Sequence, residues 1–139
     1  MQLSKKSEYA LRALLYMARR PRQVIHTIQE ISQKEKIPTK FLEQILPILK
    51  QAGYVASKRG LGGGHLLLQP PNQIRIFDII ALMEGTMLLS DTTPGGESDM
   101  AIGIFLRGFS GEIARLLNAL TIADLLQNVH ALEGTSFEI

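Results

Sequence analysis

Residues 27–69 read TIQEISQKEKIPTKFLEQILPILKQAGYVASKRGLGGGHLLLQ, and the fold is decided in this stretch. Thr27-Ile28-Gln29-Glu30 has the form of a capping box, in which the threonine hydroxyl reaches the amide of Glu30 and the glutamate reaches back. A short helix follows with Ile28 and Ile31 inward, and Lys34, Glu35 and Lys36 finish it. Ile37-Pro38-Thr39 is a sharp break. Pro38 suits the first turn of a new helix, where its missing N–H costs little. That helix runs to about Ala52 with Phe41, Leu42, Ile45 and Leu49 on its inner side, and Gly53 is placed to cap it. Two helices joined so closely, the second opening with polar side chains, have the helix-turn-helix layout. Pro47 falls inside the second helix and removes a backbone bond, at about 3 kcal/mol if unrelieved, so a kink there, or a helix held by packing, is expected. Residues 54–58 and 65–69 read as short strands around Arg59-Gly60-Leu61-Gly62-Gly63-Gly64, a β-hairpin with a flexible tip that Pro70-Pro71-Asn72 closes. A hairpin in this position is a wing.

Outward from this centre, residues 3–20 read as a helix with an apolar stripe of Leu3, Ala10, Leu11, Leu14, Leu15 and Ala18, ended by Pro21. On the other side, Ile74, Ile76, Ile79, Ile80 and Met83 lead a short helix from about Phe77 to Glu84. Residues 85–99 look like a loop, most flexible at Pro94-Gly95-Gly96. A longer helix is expected from Asp99 to Ala119, with Ile102, Leu106, Phe109, Ile113, Leu116 and Leu120 alternating by four and three as a dimerisation seam. Thr121 caps a last turn or two through Leu126, and 127–139 is expected to be a loosely ordered tail. The expected fold class is mainly α with a small β-hairpin wing. A winged helix-turn-helix DNA-binding domain (1–84) is followed by a flexible loop (85–99), a dimerisation helix with a final short helix (99–126), and the tail.

The chain contains no cysteine, which excludes disulfides, thiolate zinc sites and thiol catalysis. His26, His65 and His130 match no metal-ligand spacing, and no catalytic constellation is visible, so neither an enzyme nor a cofactor is expected. Glu8 with Lys5 or Arg12 is a routine helix surface pair. No stretch approaches the roughly 18 apolar residues of a membrane span, and nothing reads as a signal peptide, so a cytoplasmic location is expected. The net charge of +2 conceals a division: residues 1–59 carry twelve Lys/Arg against four Asp/Glu, residues 60–139 three against nine. A basic half joined to an acidic half suits a polyanion-binding end beside an end with another task.

The glycine run lacks the GxGxxG spacing, no Lys-Ser/Thr pair follows it, and strands flank it on both sides, all of which argue against a nucleotide site. A tip that approaches a DNA backbone accounts for Gly60, Gly62 and Gly63 together with Arg59, since an arginine on a thin hairpin can enter a narrow minor groove. The second helix should present Thr39, Lys40, Glu43 and Gln44 outward. Lys40 can bind phosphate or a guanine edge, Glu43 can accept from a cytosine amino group, and Gln44 can pair with adenine. The same residues would also suit a solvated helix face. A protein-interaction or small-ligand-responsive module on the same fold, with DNA binding weak or lost, remains an alternative, and Pro47 is its best support. A small-molecule enzyme built on the glycine loop is the third reading.

Four stretches, Leu3 to Leu11, Ile37 to Leu46, Ser57 to His65 and Leu120 to Leu125, resemble the Rrf2 family of bacterial winged-helix regulators in order and spacing. The resemblance implies a transcriptional regulator, a repressor, that acts as a homodimer joined through the long helix on palindromic double-stranded DNA. It places Lys40 and Glu43 at the major groove and Arg59 at the minor groove, with His65 where the family usually carries an aromatic residue, generally Tyr. Many members hold an iron–sulfur cluster through three cysteines in the loop corresponding to 85–103. This chain offers Ser90, Asp91, Thr92, Thr93, Glu97, Asp99 and Met100 there, and such clusters demand thiolates. Glu8 matches a position where some members supply a carboxylate ligand from the partner subunit; alone it cannot hold a cluster. An effector, if one acts, is expected to be a small molecule or a protein instead.

Overall fold

The computed structural model describes residues 2–85 and 92–136. The elements run α1 (Lys5–Ala18), α2 (Ile28–Glu35), α3 (Thr39–Gln51), β1 (Val55–Lys58), β2 (Gly64–Leu67), a 3-10 turn (Pro71–Gln73), α4 (Ile76–Glu84), α5 (Asp99–Asn118) and α6 (Ile122–Ser136). The expected loop residues 86–91, Ser90 and Asp91 among them, and the tail residues 137–139 lie outside the described residues.

Helix α1 is the central post, packed against α2, α3, α4, α6 and β2. Ser7, Ala10, Ala13, Leu14, Tyr16 and Met17 are buried along it. The buried face is therefore rotated from the expected stripe. Leu11, Leu15 and Ala18 are half-buried flanks, and Leu3 is exposed ahead of the helix. Small Ala10 and Ala13 let neighbouring helices approach closely, which an apolar-periodicity count weights too little. Ser4 caps α1 by accepting from the Ser7 amide at 3.1 Å. The Glu84 carboxylate at the end of α4 accepts from the Ser4 amide and from the buried Ser7 hydroxyl at 2.6 Å. These bonds hold its pKa below the usual carboxylate range.

The turn between α2 and α3 is fixed locally. Lys36 takes a left-handed conformation at φ 57°, the Ser32 hydroxyl donates to the Ile37 carbonyl at 2.6 Å, and the Ile37 side chain is buried. Helix α3 buries Leu42, Ile45, Leu46 and Leu49, and Phe41 meets Tyr9 of α1 edge to face at 5.0 Å. Pro47 sits within the helix on its exposed side. The carbonyl that loses its helical donor there belongs to Glu43, which shares that exposed face, so water can replace the lost bond. At the C-terminus Gly53, at φ 87°, donates to the Lys50 carbonyl and Tyr54 donates to that of Leu49, the two bonds of a Schellman cap.

The hairpin pairs Val55 with Leu67 and Lys58 with Gly64 in antiparallel register. Beyond it, α4 packs against α5. Within one chain the α5 apolar positions find little cover: Ile102, Phe109 and Leu116 are about half exposed, Phe105 more so, and Leu106 and Ile113 are half-buried. Leu120 falls outside the helix, in the link to α6, where its carbonyl accepts from the Ile76 amide.

The expected tail is corrected for residues 127–136, because α6 continues as a helix to Ser136. At its start the Thr121 amide and hydroxyl both donate to the Asp124 carboxylate. Ile122 is buried, and Leu125, Leu126 and Val129 follow on the half-buried side of a helix that lies on α1. An Arg19–Glu133 ion pair at 2.6 Å adds a contact across them. Polar Gln127, Asn128 and His130 interrupt the apolar signal locally, and only the α1 surface supplies the burial that continues the helix.

Leu46 is fully buried on α3, although the inward set read from the sequence omits it. Leu46→Ala should destabilise the fold by about 2–5 kcal/mol through lost burial and the cavity left behind. A lower urea midpoint at unchanged slope would report it.

Candidate nucleic-acid interface

Thr39, Lys40, Glu43 and Gln44 are all exposed, and they occupy the first turn and a half of α3 on the side away from its buried face. The sequence expectation for this face matches their placement. The Lys40 ammonium lies 5.8 Å from the Phe41 ring centroid, and the residue is exposed. Pro38 holds the N-cap position of α3, so no side-chain hydrogen bond closes that end.

At the wing, Arg59, Gly60, Leu61 and Gly62 are exposed. Leu61 is completely so, an apolar side chain at the extreme tip. Gly63 answers to a different need. A Cβ there would fall 2.2 Å from the Lys58 carbonyl oxygen, so the hairpin's own backbone requires glycine, whatever the tip touches.

The wing is tied to the helix-turn-helix by a bridge the sequence did not announce. His26, in the segment before α2, exchanges two backbone hydrogen bonds of 2.7 Å with His65 of β2. Gly64 makes this approach feasible, since a Cβ at that position would lie 2.5 Å from the His26 carbonyl oxygen. The His26 side chain is itself buried and its Nδ1 lies 2.6 Å from a Glu30 carboxylate oxygen, which also accepts from the Tyr16 hydroxyl at 2.5 Å. Burial pushes the Glu30 carboxyl up, but its bonds to Tyr16 and His26 and the Thr27 amide outweigh this and hold it below the usual range. The Arg20 guanidinium lies 3.4 Å from the Tyr16 ring centroid. One cluster thus locks α1, α2 and the wing together. Glu30 could be recognised in the sequence as a capping residue; its bonds to Tyr16 and His26 could not.

Between the first turn of α2 and the wing lies an open groove of about 320 Å3, lined among others by Thr27, Gln29, Lys58, Arg59 and His65. Its lining is largely apolar, and Lys58 and Arg59 bring two cations to it. Thr27 and Gln29 are legible in the sequence only as part of a capping box, and Lys58 only as part of the hairpin; the fold alone brings residues 27–29 beside residues 58–65.

A helix-turn-helix followed by a bridged hairpin, with a polar recognition face and a basic tip, defines a winged-helix DNA-binding fold. The chain belongs to the Rrf2 family, described as iron-dependent transcriptional regulators, whose pattern matches residues 3–128. It is 32% identical over 139 residues to the HTH-type transcriptional regulator IscR of Vibrio campbellii, covering 96% of this chain and 82% of that one. To IscR of Photobacterium profundum it is 29% identical over 147 residues, covering 100% and 84%. Among solved structures, CymR, the global cysteine regulator of B. subtilis, superposes with a TM-score of 0.79 at 26% identity, covering 92% of this chain and 98% of that one. The fold and relatives are those of transcriptional regulators, not of enzymes.

The iron dependence in the family description does not fit this chain's donors. There is no cysteine anywhere in the sequence, and the described residues contain no group of three His, Asp or Glu side chains placed to hold a metal. Glu8 is engaged by Lys5 and Arg12, each at 3.3 Å, and the Asp99 carboxylate accepts from the Gly95 amide at 2.7 Å. Among the described residues, no helix is long and apolar enough to cross a membrane.

Gly64→Ala places a methyl group against the His26 carbonyl and should break the bridge while sparing the helical core. The amides of His26 and His65 should then exchange with solvent at least about tenfold faster by NMR, with the α1 and α3 core amides little changed. Unchanged exchange at both histidines would refute the assigned role of this glycine.

Proposed function

We propose that the protein is a sequence-specific transcription repressor that binds a palindromic operator as a homodimer, in the cytoplasm and without an iron–sulfur cluster. The observation that carries this reading is the exposed set Thr39, Lys40, Glu43 and Gln44 on α3 beside an exposed Arg59 on a braced wing. In this reading α3 enters the major groove. Lys40 neutralises phosphate or meets guanine, Glu43 accepts from a cytosine amino group, Gln44 pairs with adenine, and Arg59, with Gly60, Gly62 and Gly63, follows the minor groove. Helix α3 runs unbroken through Pro47, which favours DNA binding over a module that has kept only the fold.

The dimer reading draws on α5. Ile102, Phe109 and Leu116 are exposed on it, Phe105 and Phe109 stack at 6.0 Å, and Leu106 and Ile113 continue the same seam toward Leu120. A second copy of α5 would bury this surface and set two recognition helices at successive half-sites. With no thiolate available, any effector is a small molecule or a protein acting without cluster chemistry.

Selection of bound fragments from genomic DNA tests the reading and names the operator; recovery of no enriched sequence would sink it. On the selected operator, Arg59→Ala should weaken binding at all sites. Glu43→Ala should instead lose about 1–3 kcal/mol of discrimination at one base pair per half-site, read by competition with single-substitution operators. Phe109→Asp should yield monomers in sedimentation and lower operator affinity without melting the winged domain.

A further inference from the structure

His65 stands half-buried at the base of the wing, on the wall of the groove between α2 and the hairpin. Its Nδ1 lies 3.0 Å from the Ser57 hydroxyl. A hydroxyl can donate or accept, so Ser57 suits the ring in either protonation state. The charged groups around it are cationic on the groove side: Lys58 and Arg59 line the same groove, and Lys50 acts on the ring from α3. Behind it, β2 is bridged to His26, whose ring is engaged with Glu30, and that carboxylate is already shared with Tyr16. Burial first, and Lys50 second, hold the His65 pKa below the ordinary histidine value. The free protein thus disfavours the charged ring, through burial and Lys50, at the wall of a groove that also carries Lys58 and Arg59. An anion placed there reverses the balance, because it favours the charged ring and offsets Lys50.

We propose that a backbone phosphate of the DNA seats in this groove against Lys58 and His65, with Arg59 left to the minor groove, and that His65 takes up one proton from solvent as the phosphate arrives, making DNA binding proton-linked. The proposal rests on the DNA-binding reading above. No bond in the DNA changes; the proton passes from the buffer acid to the imidazole. The sign follows from linkage. Above the pKa of the complex the ring is neutral in both states, and below that of the free protein it is charged in both, so affinity is flat at either extreme. Between them, affinity rises as pH falls, by up to about tenfold per pH unit for each proton taken up.

The test measures binding of a mixed-sequence duplex of about 30 base pairs, whose affinity reports phosphate contacts, by fluorescence anisotropy at constant ionic strength from about pH 8 to pH 5.5. The wild type should bind more tightly as pH falls, and His65→Tyr should bind with a much flatter profile. In the wild type the His65 ring resonance should titrate at higher pH in the complex than in the free protein, a readout that needs no variant. A wild type that binds with a flat profile, a His65→Tyr protein that keeps the full slope, or a His65 resonance unmoved by DNA each overturns the proposal while leaving the DNA-binding reading standing. Failure of the wild type to bind any duplex at any pH overturns both.

Discussion

Complete removal of Ala10, Ala13 and Leu14 of α1 from water is the constraint on which the rest of the structure hangs. Four other helices find their apolar faces met by this one. Without it, α2 and α3 would retain a good turn and good caps but no surface to bury Ile31, Leu42, Ile45 and Leu49 against, and short helices alone are marginal in water. The same post receives α6, so both ends of the described chain converge on it. The polar attachments at its two ends, Ser4 and Ser7 to Glu84 and Tyr16 to Glu30, orient neighbours that apolar packing alone would let slide.

The wing depends on that post at one remove. A two-stranded hairpin is marginal by itself, and this one gains its support from the His26–His65 bridge, with His26 in turn anchored through Glu30 to Tyr16 on α1. Position and direction of the tip are therefore set from the core, while Arg59 and Leu61 at the end remain exposed. The arrangement separates two roles within one glycine run. Gly63 and Gly64 are demanded by close backbone approaches, whereas Gly60 and Gly62 lie open at the surface.

The absence of cysteine removes thiolate chemistry from this chain while the family fold is kept. The Rrf2 pattern spans residues 3–128 with no thiolate in it, and the described core of the winged domain is built from α1 to α4 and the hairpin, with Ile122 of α6. Nothing in the packing of α1, α3 and the wing requires a metal, because their buried polar groups are satisfied by one another; among the described residues no buried side-chain nitrogen or oxygen lacks a partner.

Much of this was legible in the chain itself, because the signals were local. Thr27 and Glu30 define a helix start within four residues, Gly53 a helix end, and Gly60 to Gly64 a hairpin tip, and the outward placement of Lys40, Glu43 and Gln44 follows from the helical repeat once Leu42 and Ile45 are turned inward. Tertiary structure decided what depends on contacts between distant residues. The rotation of α1 was set by which helices press on Ala13 and Met17, the continuation of α6 by the α1 surface beneath it, and the bridge from His26 to His65 by a backbone approach between residues far apart in sequence. The groove that joins Thr27 and Gln29 to Lys58, Arg59 and His65 belongs to the same class: periodicity and capping act over a few residues, whereas a shared cavity exists only after the core has brought its walls together.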